Sequence, residues 1–439
     1  MTSDWPSLAH PELHDELHAR PPLQVAAPGV LSHWVQHGMS AACAAQALAA
    51  VCQHFGALAP APGASHMLLR QGTQAFKYER HGEFVSWQWF QALAEAPADA
   101  AALRRLWQRS PGLRSLPGAV QEVFMQPGAG ALLAATQILL LPAPAGAPPP
   151  AAWQGGFHIG ELIGAHIGEG AATALTDLRL HEQHTTRYLL LDATLSPEQL
   201  AREAQRLCEI EAYRMLAMLG FPLAQREAAA LGALEARLRA AVDAMAAGSP
   251  GDDTPVFNTL TQLAAEVEHI AARTRFRFAA TRAYHQLVQR RLAALREGRL
   301  PGVQTLTGFL NRRLGPAVAL CESTDARLSD VAERINRAVG LARVRVEVHR
   351  EANNQELLKA LAQRAHMQLR LQQTVEGLSV VAISYYVLGL IGYAAKALLA
   401  LPALQGLHWK SDVLVGVAAL PVLWAVWAFI RRLRRHLST

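Results

Sequence analysis

Cysteine is scarce. The 439 residues hold four, Cys43, Cys52, Cys208 and Cys321, and none form a Cys-x-x-Cys pair. That spacing excludes zinc ribbons and disulfide-stapled secreted domains, and it suits a reducing compartment. The opening stretch, Met1 to Arg20, is polar and acidic and lacks the basic start and apolar run of a signal peptide, so the body is not expected to be exported. There is no G-x-S-x-G, no P-loop lysine and no full dinucleotide fingerprint. Gly168-Glu169-Gly170 comes nearest to a phosphate loop and reads as a hairpin turn. No motif supports an enzyme class, so no catalytic residue and no cofactor are expected.

Hydrophobic residues make up 51%, and the mean hydropathy is +0.10. Those values are too apolar for a disordered chain and low for a multi-span transporter. A body of two or three structural units plus a short membrane segment fits both values and the length. The net charge of +6 would suit nucleic acid or an anionic leaflet. Arg431, Arg432, Arg434 and Arg435 directly follow an apolar run, which favours lipid as the partner, and no nucleic acid is expected.

Two runs are long enough to cross a hydrocarbon core of about 30 Å. Gly377 to Ala395 carries only serine and tyrosine as polar residues and is followed by Lys396. Val413 to Ile430 is apolar throughout, with Trp424 and Trp427 near the arginine cluster. The connection from Leu401 to Asp412 has Lys410 as its one basic residue, whereas Arg364 and Arg370 precede the first run. The positive-inside rule therefore puts both termini in the cytoplasm. In the first run Ser379, Ala382, Tyr386, Gly389, Tyr393 and Lys396 recur at three- and four-residue steps and share one stripe. Such a stripe can pack against the second span, pack against another copy, or line a pore. A homo-oligomer is therefore open, and so is the identity of any small-molecule or ion ligand.

The body shows two regimes. Up to about Thr194, short apolar or alternating runs are broken by Pro and Gly. Strands are expected at His66–Arg70, Gln74–Arg80 and Glu83–Phe90, with His81-Gly82 turning between the last two, and at Gly130–Leu141, Gly160–Ile167, Ala171–His181 and Thr185–Asp192. Met39–His54 and Ala96–Gln108 read as helices. From Ser196 the pattern is helical: Pro197–Leu219 behind a capping box, Ala224–Ala247, Pro255 to about Gly298, Thr305 to about Gly340, and Arg343–Thr374. The fold expected is α+β: a mainly antiparallel domain over residues 1–194, a long-helix stalk or bundle over 195–374, and a transmembrane hairpin with a basic tail over 375–439, its spans at about 377–395 and 413–430.

Several residues carry candidate chemistry. His10, His14 and His18 would share one helix face, a spacing at which two imidazoles can hold a divalent metal, although a docked helix explains them as well. Glu79, Arg80, His81 and Glu83 gather acid, base and cation in one strand-turn segment, which a hairpin ion pair also accounts for. Asp177 and Arg179 are spaced to share a strand face and pair. The arginines of Arg273 to Phe278 are expected to pair with acidic neighbours along a helix.

The run His10-Pro11-Glu12-Leu13-His14-Asp15-Glu16-Leu17-His18-Ala19-Arg20-Pro21-Pro22 resembles the opening of domain-of-unknown-function family 3422. Further matches are Glu79-Arg80-His81 with Glu83-Phe84, Thr176-Asp177-Leu178-Arg179, and Glu209-Ile210-Glu211-Ala212-Tyr213-Arg214-Met215. Phe276-Arg277-Phe278 with Ala283-Tyr284, and Leu371 through Tyr386, complete the series. The resemblance implies a membrane-anchored bacterial protein, hence the inner membrane, and brings no activity with it. The layout is also similar to CorA-type channels, but Gly389-Leu390-Ile391-Gly392 stands where their Gly-Met-Asn signature would be.

Overall fold

The computed structural model describes residue 10 and residues 21–61, 63–109, 116–143, 153, 155–158, 162–247, 253–399 and 411–437. They form two compact units, residues 1–246 with 258–339 and residues 247–257 with 340–439.

The first unit is built on a nine-stranded sheet, ordered β2-β3-β4-β1-β5-β8-β7-β6-β9. Its strands are β1 Gly29–His37, β2 His66–Gln71, β3 Gln74–Arg80, β4 Phe84–Ala92, β5 Ala131–Pro142, β6 Ile163–Ile167, β7 Ala172–Thr176, β8 Thr186–Asp192 and β9 Gly298–Arg299. The hairpins expected at His81-Gly82 and Gly168-Glu169-Gly170 are present. At the second, Gly168, Glu169 and Gly170 all take positive φ, a conformation that glycine adopts without steric cost. Strands β5 and β8 run parallel, because the long excursion through the β6–β7 hairpin returns the chain in the same direction. The other strand pairs described are antiparallel, so the sheet is mixed and the α+β class holds.

Both faces of the sheet are covered. On one, Trp34, Phe76, Tyr78, Trp87 and Trp89 pack under α1, Ala41–His54, and α3, Gly118–Phe124. Cys43 and Cys52 are buried in α1, and all four cysteines are free. Farther along this face Leu139, Leu189 and Leu191 meet Leu103 and Trp107 of α2, Ala100–Arg109. On the opposite face Leu31, Ile138, Tyr188 and Leu190 meet Leu200, Ala204, Leu207 and Cys208 of α4, Pro197–Met218. Ser196 closes the expected capping box with Gln199 at the start of α4.

The helices after residue 195 do not separate as a stalk at that boundary. Val288 and Leu292 of α6, Thr254–Leu295, and Leu306 and Leu310 of α7, Leu306–Leu399, join the core on the α4 face. Burying those side chains yields about 1.5–3 kcal/mol each, which keeps the helices on the sheet. Helix α5, Gly220–Ala247, begins directly at Gly220, and Pro222 sits in its first turn, where a missing N–H costs nothing. Helix α7 continues through Gly340, where a helix end is expected. One glycine costs about 1 kcal/mol in a helix, and without a cap or a proline beside it that does not end the run.

In the second unit Arg345 pairs with Asp253 at 2.9 Å. From Glu351 to Val375, α7 is exposed on all sides. Beyond that, α8, Ser411–Leu437, runs back along it. Val415 lies opposite Gly392, and Ile430 lies beside Val375 and Ser379.

Candidate functional site

A polar seam crosses the α4 face of the sheet. Lys77 stands opposite Gln88, Gln88 opposite His33, His33 opposite Thr136 and Thr136 opposite Thr186, so five strands contribute to one row. Every member is at most 3% exposed. Strand periodicity places Glu79, Ser86 and Tyr188 on the same face. Buried polar groups need partners, and α4 supplies several. Thr186 and Tyr188 donate to Glu211 at 2.9 and 2.7 Å, and Arg214 grips the same carboxylate at 2.8 and 2.7 Å. Lys77 reaches Glu79 at 3.1 Å and Gln205 at 3.3 Å. Gln205 donates to Glu209, which Arg291 also holds.

This geometry sets the ionisation of the seam. Burial pushes the Glu211 carboxyl up, but Arg214, Tyr188 and Thr186 more than offset that and hold it below the usual range. The Tyr188 phenol is pushed well above its ordinary value, first by burial and then by Glu211 beside it. Burial lowers His33 to about 3, with Lys77 and His81 adding to the effect and Glu211 opposing it. His33 meets Ser86 at 2.9 Å through Nε2, while its Nδ1 and the Gln88 carbonyl have no hydrogen-bond partner.

A second cluster forms where the loops beyond β7 meet the segment before β6. Asp177 lies just past β7 and is 2% exposed. Its carboxylate accepts the His158 amide at 2.9 Å, the Arg179 amide at 3.1 Å and His181 Nε2 at 2.9 and 3.0 Å. The pairing expected with Arg179 is thus made by its backbone, because the chain has left the strand at this point. Burial pushes the Asp177 carboxyl up, but His181 and the two amides pull it below its usual range. His181 stacks on His158, with ring centroids 4.6 Å apart. Arg187 donates to His181 Nδ1 at 3.3 Å and lies over the Trp107 ring.

The other expected residues are dispersed. His81 has left strand β3 and stacks on Phe84 at 4.3 Å. Arg80 is half-buried at the end of β3, and Glu83 pairs with Arg277 at 3.0 Å. Arg273 meets Glu227 at 3.1 Å, an acidic partner on α5 rather than a neighbour along its own helix. A concave site joining Glu79 and His81 to Asp177 does not form, because β3 and β7 lie five strands apart, about 24 Å. His10 is exposed, while His14 and His18 lie outside the described residues. In the stripe, Gly389, Tyr393 and Lys396 border a cavity that Asp412 and Val415 also line. Ala382, Tyr386, Gly389, Tyr393 and Lys396 are exposed and Ser379 is half-buried, whereas Ser384 is the residue buried in this part of the helix.

His33, Lys77, His158, His181 and Arg187 are not distinguished in the sequence. Lys77 looks like a solvent-facing member of an alternating strand, and His33 falls in a stretch with no strand signal. His158 joins Asp177 only through tertiary contact. The signal available was the four-residue step from Asp177 to His181.

Residues 9–437 match the family model described as Protein of unknown function (DUF3422). The chain belongs to the DUF3422 family. For this member, comparison with curated proteins and with solved structures gave no match. The motif residues Glu79, Asp177, Glu209, Glu211 and Arg214 all hold ion pairs or hydrogen bonds within the folded body.

Proposed function

We propose that this DUF3422 protein is anchored in a membrane by its C-terminal helix pair and that its α+β body works in the cytoplasm as a non-enzymatic sensing or scaffolding domain. One observation carries the anchoring. Two helices are long and apolar enough to cross a membrane, yet only 6% of the most apolar 18-residue window of the first and 0% of that of the second is buried. The core helix of a soluble protein hides such a face, whereas lipid accepts it. Leu378, Val381 and Leu390 on one helix, and Val417, Leu420 and Phe429 on the other, are exposed around both. Arg431 and Arg432 follow the second run at the position of a head-group anchor, and the basic bias puts this end inside. The sensing or scaffolding role rests on a body whose polar motif residues are used in internal pairs. The test is alkaline carbonate extraction of membranes from cells making the full chain. Retention in the pellet is expected, and release of the intact chain into the supernatant overturns the anchoring.

A second reading concerns assembly. Tyr386 and Tyr393 are 71% and 75% exposed and are not covered by the neighbouring span. That leaves the stripe available to another copy, either as a packing face or, in a ring similar to CorA-type channels, as a pore lining. Native mass spectrometry of the full chain in detergent separates these: a closed ring of several subunits favours the pore, a dimer favours packing, and a monomer removes both.

A further inference from the structure

We propose that His158, Asp177 and His181 form a binding site for one divalent transition-metal ion of the zinc class. One ligand atom from each residue lies within 4.8 Å of the others. Bonds of 2.0–2.1 Å in a tetrahedral site put donors about 3.3 Å apart, so modest side-chain adjustment brings this trio onto one ion. The two imidazoles are stacked and tilted by only 21°, which keeps both rings beside the Asp177 carboxylate. Asp177 is held in place by the His158 and Arg179 amides, one on each carboxylate oxygen, and both oxygens also reach His181. Two imidazoles and one carboxylate suit a divalent transition metal such as zinc or iron(II), whereas calcium takes six to eight oxygen donors and magnesium an octahedral oxygen shell. His158 is exposed, so the fourth coordination position opens to water.

Arg187 gives this site a distinctive property. In the metal-free chain its Nη1 donates to His181 Nδ1, so the ring carries its proton on Nε2, where it donates to Asp177. Metal takes the Nε2 lone pair. The displaced proton then moves through solvent to Nδ1, and Arg187 gives up that contact. At 3.3 Å the contact is long and is lost readily. Arg187 therefore competes with the ion, and removing its charge should tighten the site.

The experiment is equilibrium dialysis of the full, untagged chain in detergent against zinc chloride, with bound metal counted by mass spectrometry. One zinc per chain is expected. His158→Ala, at an exposed position, should weaken binding by more than about 100-fold, beyond the 10- to 100-fold typical of residues that only support a ligand. Arg187→Gln should strengthen it, and the circular dichroism of that variant establishes that it folds. Because His10, His14 and His18 could hold zinc separately, a triple alanine variant of those residues should keep the full stoichiometry. No bound zinc in the parent chain, unchanged binding by His158→Ala, or loss of binding in the triple variant would each overturn the assignment.

Discussion

The Tyr188 hydroxyl donates to Glu211 Oε1 at 2.7 Å between strand β8 and helix α4, with both side chains sealed from solvent. Arg214 holds the same carboxylate bidentately, so the family motif Glu209 to Met215 places an acid where it locks helix to sheet. A carboxylate with every acceptor lobe in use contributes to positioning and is poorly placed for proton transfer to a substrate.

Replacing Glu211 with Gln should be costly because it leaves the Arg214 guanidinium uncompensated. Breaking a buried pair from one side costs about 3–5 kcal/mol. Tyr188→Phe removes one donor and should cost about 1–3 kcal/mol. Urea midpoints of the full chain in detergent should follow that order, and equal midpoints would show that the cluster is not under load.

Acid should destabilise the body before its carboxylates titrate. Above the ordinary histidine value of about 6.5, His33 is neutral in both folded and unfolded chains and contributes no pH dependence. Below it the unfolded chain takes up a proton that folded His33, lowered to about 3, refuses. Stability should therefore fall by about 1.4 kcal/mol per pH unit from this group, from pH 6.5 towards 3. Melting temperatures across pH 7 to 5 measure the slope, and His33→Asn should flatten it.

The two apolar helices should be neighbours within one chain. A Cβ added at Gly392 would stand 3.4 Å from Val415 Cγ2. The double variant Gly392→Cys, Val415→Cys is expected to cross-link in isolated membranes without changing the mass of the chain on a denaturing gel. A band of twice that mass as the sole product would place these positions between copies instead.

How much was legible in the sequence follows from the range of each interaction. Ser196, Pro197 and Gln199 start α4 through local hydrogen bonds and a preset φ, so that helix and its cap are readable directly. The β3–β4 hairpin is readable for the same reason. Strand β1, Gly29–His37, is buried along almost its whole length and mixes Ser32, His33 and Gln36 with apolar residues, so it shows no clean alternation. Its place between β4 and β5 is set by tertiary pairing. Likewise Glu211 and Asp177 stood out as motif members, but His33, His158 and Arg187 gained their meaning only when distant strands and loops met. The apolar runs at the C-terminus were the plainest signal, because each keeps consecutive residues apolar over a length that could cross a membrane.

The claim on which the account turns is that the C-terminal helices form a hairpin through the bilayer with both ends inside. Single cysteines placed in the connecting loop, Gln405→Cys, and at the tail, Thr439→Cys, can be labelled with a membrane-impermeant maleimide, since the four native thiols are buried. The account predicts that intact spheroplasts label Gln405→Cys and leave Thr439→Cys unlabelled until they are permeabilised. Equal labelling of the two positions before permeabilisation, or labelling of the tail alone, would contradict it.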